Sequence, residues 1–241
     1  MIVLGSNSEV AQAFVEKALQ AGEKYPRLYL LTSNRETTER FAKHLEVKYL
    51  QPCEIIDLDL TKEIPFHEWD NLDSDLVFCA AGYLGKGTEE GLYNHANTQR
   101  IVDINYAKLI LVLNHFAQQL QNRRSGTLIG LSSVAGDRGR QSNFIYGSAK
   151  AAFTAYLSGL RNYFADKRVH VMTVKPGFMD TKMTEGLPLN PLLTASPEQA
   201  ASHIYKAYKA KRNVVYVLPI WRWIMLIVRN IPEFIFKKMK M

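Results

Sequence analysis

Short apolar runs alternate along the chain with longer stretches in which apolar residues recur every three or four positions. The short runs read as strands buried on both faces, and the longer ones as amphipathic helices. Strands are expected over residues 2–4, 28–32, 54–57, 76–80, 127–132, 170–175 and 214–218. Helical patterns lie between them over 9–21, 37–45, 97–121, 144–165 and 197–211. Seven strands separated by helices predict an α/β architecture: a doubly wound parallel sheet with helices on both faces. Ligands then belong at the carboxyl ends of the strands. The first strand begins at residue 2, so no preceding domain is expected. The stretch 177–196 is rich in Pro, Thr, Met and Leu and lacks a period, which predicts a mobile loop.

Composition agrees with one domain: 241 residues, of which 47% are hydrophobic and 22% charged. Such a chain can bury a core and does not read as disordered. The net charge of +7 is unevenly placed. Residues 1–205 carry 21 Lys/Arg against 22 Asp/Glu, and residues 206–241 carry nine against one, Glu233. A neutral body with a basic end argues against a nucleic-acid coat and for a tail with its own partner. Cys53 and Cys79 are too few for a disulfide framework or a zinc cage, so no metal is expected and a reduced, cytoplasmic compartment is. The start has no basic segment followed by a long apolar one, and no signal peptide is expected. No uncharged apolar run approaches the ~18 residues of a membrane span.

Two features carry chemistry. The turn after the first strand reads Gly5-Ser6-Asn7-Ser8-Glu9-Val10-Ala11 and opens a helix, an arrangement that brings backbone N–H groups to a pyrophosphate. Tyr146 and Lys150 stand four apart on a helix and so share a face, where an ammonium would lower the phenol pKa and suit it to protonating a carbonyl oxygen. Tyr205 and Lys209 repeat that spacing, but only Tyr146 follows a serine, Ser133, that ends an apolar strand 13 residues earlier. Tyr205 and Lys209 are assigned to a solvated helix face.

In this order and spacing the residues resemble the short-chain dehydrogenase/reductase family over nearly the whole chain. The series runs from the Gly5 turn through Asp59-Leu60-Thr61, Cys79-Ala80-Ala81-Gly82, Asn105, Ser132-Ser133 and Tyr146/Lys150 to Pro176-Gly177 and Thr181. The resemblance implies a single-domain Rossmann fold over 1–219, NAD(P)(H) hydride chemistry and a homo-oligomer. It makes Tyr146 the acid/base, Lys150 its partner and a ribose ligand, Ser133 the holder of the substrate oxygen, and Asn105 the anchor of a water leading from Lys150. The cofactor would meet Gly5, Ser6, Asn7, Ser8, Glu9, Val10, Asp59, Leu60, Ala80, Ala81, Gly82, Pro176, Gly177 and Thr181. Glu9 and Ala11 replace two of the family's glycines. They leave room for a non-catalytic sensor or scaffold, against which Ser133, Tyr146, Lys150 and Asn105 speak. The second strand ends without an acid to bind a ribose hydroxyl, whereas Arg35 is available for a 2′-phosphate, so NADP(H) is favoured over NAD(H).

Residues 220–241 form a separate expectation: Trp221, Trp223 and an apolar run flanked by Arg222, Arg229, Lys237, Lys238 and Lys240 read as an interfacial helix on anionic lipid. Within the family, the tail, the Ser8-Glu9 pair and Ser132-Ser-Val-Ala-Gly-Asp-Arg138 resemble the reductases of polyprenyl-phosphoryl keto-pentoses. That implies a lipid-linked ketone at the inner face of a membrane; a small or fatty ketone is the alternative. Arg138, Phe178 and Met183 are the candidate substrate contacts, with Arg138 and Arg140 placed to meet a phosphate.

Overall fold

A computed structural model describes residues 1–86 and 92–239. Seven strands form one sheet: β1 (Ile2–Leu4), β2 (Leu28–Thr32), β3 (Cys53–Asp57), β4 (Leu76–Cys79), β5 (Gly126–Leu131), β6 (Val169–Lys175) and β9 (Val214–Tyr216). Their order is β3-β2-β1-β4-β5-β6-β9, and every pairing is parallel. The expected doubly wound sheet is therefore the observed one.

Alternation along each strand builds the two faces. Val3, Leu28, Leu30, Phe78, Ile129 and Met172 enter one core with helices α1 (Glu9–Gln20), α2 (Arg35–Tyr49) and α6 (Pro197–Lys209). Their neighbours Ile2, Leu4, Leu31, Val77, Leu128 and Val171 enter the other, with α4 (Lys108–Arg123) and α5 (Phe144–Tyr163). Successive strand side chains point to opposite faces, so a strand covered on both sides must be apolar at every position. Phe14 of α1 stacks on Phe78 with ring centroids 4.2 Å apart, and Trp69 on Phe116 at 5.8 Å, one pair on each face.

Three expectations change. The helix expected over 97–121 is divided: α3 (His95–Val102) runs through a π turn, Asp103–Ala107, into α4. Residues 177–196 hold regular structure, two short parallel strands, β7 (Phe178–Met179) and β8 (Thr194–Ala195), and two 3-10 turns. Its apolar residues lack a period because they serve different surroundings: Phe178 and Leu193 pack on the tail, Met179 and Ala195 enter the first core, and Leu187 and Leu192 stay exposed. The tail itself folds as α7 (Ile220–Asn230) and α8 (Glu233–Phe236), whose Trp221, Met225, Val228 and Phe236 join Val134 in a third core. Among the described residues, no helix is long and apolar enough to cross a membrane.

Candidate active site

A cleft of about 1300 Å³ opens at the carboxyl ends of the strands. Its head is the turn after β1. Gly5 has φ +76°, and a Cβ there would lie 2.7 Å from the Ala81 nitrogen, so only glycine lets the turn meet the end of β4 this closely. Asn7, Ser8, Glu9 and Val10 line the cleft, as do Asp59, Leu60, Ala80, Ala81 and Gly82. Ser6 does not. It is fully buried and its hydroxyl donates to the Leu31 carbonyl at 3.2 Å, so it shapes the turn from behind. Asp59 accepts from the backbone and hydroxyl of Thr61, which together with burial's opposing pull leaves its carboxyl below the usual range.

Glu9 stands where the family expects glycine. Its carboxylate accepts the Lys182 N–H at 2.9 Å, which joins the first turn of α1 to the 3-10 turn Lys182–Thr184 across the cleft. Thr181 and Met183 line the cleft from that turn, and Pro176, Gly177 and Phe178 lead into it. Gly177 lies directly under the tail: a Cβ there would fall 1.9 Å from Nε1 of Trp221. That indole donates to the Leu193 carbonyl at 3.0 Å, and Phe178 packs edge-on against it at 5.2 Å. The tail therefore forms the back of this wall.

Ser133, Tyr146 and Lys150 come together on the facing wall. Ser133 follows β5 and accepts the Ala135 N–H at 3.1 Å, capping a short turn, and its side chain stands near the Tyr146 phenol. Burial pushes that phenol up to about 12, and the polar Ser133 side chain pulls against it. Lys150 lies one helical turn on, with Nζ donating to the Leu131 carbonyl at 3.1 Å and 5.8 Å from the Tyr146 ring centre. Burial lowers its ammonium to about 8. Thus Ser133, rather than Lys150, is what opposes burial at the phenol, because the ammonium is held by a carbonyl. Gly82 closes this corner: a Cβ on it would sit 3.3 Å from Asn105 Oδ1 and 3.4 Å from Lys150 Nζ.

Asn105 sits in the π turn, fully buried and outside the lining. Its amide donates to the carbonyls of Tyr83 (2.7 Å) and Ile101 (2.8 Å) and accepts the Tyr83 N–H (3.2 Å). It fixes the segment that carries Gly82. Arg35 also lies outside the lining. Its guanidinium pairs with Asp57 at the end of β3, Nη2 to Oδ2 3.0 Å.

Arg138 requires correction as a substrate contact. Its guanidinium donates to the carbonyls of Val228 and Ile231, both at 2.6 Å, pairs with Glu233 and lies 3.7 Å over the Phe236 ring. It clamps the tail. Sequence reasoning gave no role to Asp137, whose carboxylate is buried with Lys175 in an ion pair and accepts the Tyr216 hydroxyl at 2.8 Å. Nor did it find Asn143, which lines the cleft beside Arg140. No spacing signals Asp137, since its partners lie on other elements.

The short chain dehydrogenase family profile matches residues 1–191, and the chain belongs to that family. An uncharacterised oxidoreductase of Mycobacterium tuberculosis is 33% identical over 144 residues, 60% of this chain. The chain spans 57% of the length of that relative. Another, of Streptomyces coelicolor, is 28% identical over 243 residues, 99% of this chain and 95% of the relative. A short-chain dehydrogenase from Sphingobium yanoikuyae, solved in complex with NADPH, superposes with a TM-score of 0.81 at 16% identity over 96% of both chains. A 7beta-hydroxysteroid dehydrogenase superposes at 0.82 with 17% identity, over 98% of this chain and 93% of the other.

Proposed function

We propose that the protein is an NADPH-dependent carbonyl reductase. The observation that carries this reading is the convergence of Ser133, the half-buried Tyr146 and Lys150, one helical turn on, in the same cleft. The head of the cleft fits a dinucleotide, because Gly5 leaves it no Cβ and the helix beyond turns its N-terminus inward. A bound nicotinamide supplies the hydride. Asn7, Ser8 and Val10 would hold the cofactor's phosphates, Asp59 and Leu60 its adenine side, and Ala80–Gly82 and Lys150 its inner ribose. Pro176, Gly177 and Thr181 would hold the ring end.

Ser133 holds the carbonyl oxygen of the substrate and Tyr146 protonates it. At neutral pH a phenol at about 12 retains its proton, which suits the reductive direction. The phenolate left behind would draw the Lys150 ammonium toward it from the Leu131 carbonyl. The absence of an acid at the end of β2, the nearby Arg35 and the NADPH or NADP of several structural neighbours support NADP(H) over NAD(H).

The finer reading is a ketone on a lipid-linked, polyprenyl-phosphoryl sugar, reduced at the inner, cytoplasmic face of a membrane, with Phe178 and Met183 against the substrate. It is supported by the tail's likeness to reductases of that kind and by its outer face. Trp223, Ile227 and Phe234 are 62%, 67% and 66% exposed, beside Arg222, Arg229, Lys237 and Lys238. Self-association through that face, in a homo-oligomer, is the rival, and a lipid-free sedimentation experiment reports it. NADPH consumption over a panel of lipid-linked keto-sugars and small ketones tests the function. Turnover of lipid-linked substrates is expected, turnover of small ketones alone removes the finer reading, and no turnover of any removes the reductase.

A further inference from the structure

Two arginines stand two residues apart on the loop after β5, and their surroundings differ completely. Arg138 spends both of its terminal nitrogens on the tail, as described above. Arg140 lines the cleft, and its Nε is shielded from solvent with no hydrogen-bond partner. Among the described residues, no carboxylate forms an ion pair with it. Its burial lowers the guanidinium pKa from the ordinary value. A guanidinium N–H withdrawn from water without a partner is destabilising, and the surrounding structure must hold it there. The loop does so from both sides. Asp137 is fixed by Lys175 and Tyr216, Arg138 by α7 and α8, and the Arg140 carbonyl accepts the Asn143 N–H at 3.3 Å.

Of the other cations that line the cleft, Lys150 donates to Leu131 and Arg100 lies 4.6 Å over the Tyr83 ring, while Lys86 and Lys182 stand on other segments of the lining. Asn143, in the same lining, has its amide oxygen buried and unpartnered. Arg140 and Asn143, each with an unpartnered polar atom, thus line the cleft from the segment that also carries Ser133 and Tyr146.

We propose that Arg140 is the anion-recognising residue of the substrate site, taking a phosphate or carboxylate borne by the ketone, with Asn143 accepting from a neighbouring hydroxyl. A guanidinium matches both anions through paired N–H donors. The identity of the rest of the ligand rests on the carbonyl-reductase reading, whereas capture of the anion does not.

The test is calorimetric titration of the full chain, saturated with NADPH and again without it, using phenyl phosphate, benzoate and neutral benzyl alcohol. Phenyl phosphate or benzoate is expected to bind, the tighter one naming the anion, and benzyl alcohol is not. Arg140→Gln should weaken the anion about ten- to a hundredfold, as loss of a charged hydrogen-bonded partner does, and Arg140→Lys should restore part of it. Unchanged thermal melting of Arg140→Gln keeps the comparison valid, and if that variant melts early, the Arg140→Lys titration alone decides by its partial loss. Anion binding that ignores both substitutions, or none in the wild type, overturns the proposal. Failure of NADPH itself to bind would instead defeat the reductase, and the cofactor-free titration would still read Arg140.

Discussion

On one wall of the cleft, Ser133, Tyr146 and Lys150 hang from backbones that touch each other, while the opposite wall, residues 177–193, is held by side chains from elsewhere. A Cβ on Gly136 would lie 2.7 Å from the Lys150 carbonyl carbon, and one on Gly147 2.9 Å from the Ala135 oxygen, so turn and helix meet main chain to main chain. Ser132 adds a bond from its hydroxyl to the Lys150 carbonyl at 3.0 Å. Across the cleft, Trp221 fills the space above Gly177, and Glu9 holds the Lys182 N–H. Backbone contact leaves no side chain to rearrange, which suits a wall that must keep a phenol and a hydroxyl in register. Side-chain contact leaves the other wall free to be set by the tail, and through the tail by whatever the tail touches.

Substitutions can break this contrast. Trp221→Ala should have the largest effect, about 3–5 kcal/mol of stability for an emptied aromatic site, read by chemical denaturation. In the protein that still folds, KM for the ketone should rise more than kcat falls. The reverse split would mean that the tail shapes the chemical wall. Arg138→Met leaves the Val228 and Ile231 carbonyls without their charged donor and should cost about 1.5–3 kcal/mol. A protease-accessibility assay should show α8 released first.

Gly136→Ala intrudes on the Lys150 backbone and should cost about 1–3 kcal/mol by overpacking. Here kcat should fall with KM little changed, and an effect confined to KM would contradict the division between the walls. The smallest effect is in the pH profile. Lys150 sheds its proton as pH rises through about 8 and Tyr146 only near 12, so reduction should decline above pH 8. Lys150→Arg keeps its charge there and should remove that limb from the activity it retains, whereas an unchanged limb would assign it to another group.

Legibility in the sequence follows the same division. The strands were readable because burial on two faces demands unbroken apolar runs, and Tyr146 and Lys150 because one helical turn links them. The wall built from distant side chains was not. Gly177 looks like any loop glycine until Trp221 is placed on it, 44 residues later. Arg138 looked like a phosphate ligand because its acceptors lie 90 and 93 residues away, on a tail with no fixed relation to it in the sequence. Asn105 was found, but the π turn that buries it against Tyr83 leaves no periodic trace.

The central claim is that the Tyr146 phenol, beside Ser133 in the cleft, delivers the proton. Tyr146→Phe removes that proton and little else, so NADPH titration and ketone turnover should be measured on the same preparation. The account predicts NADPH affinity close to wild type and a kcat lower by about 10²–10⁴, the usual contribution of a positioned general acid. Turnover near the wild-type rate, with the cofactor bound, would contradict it.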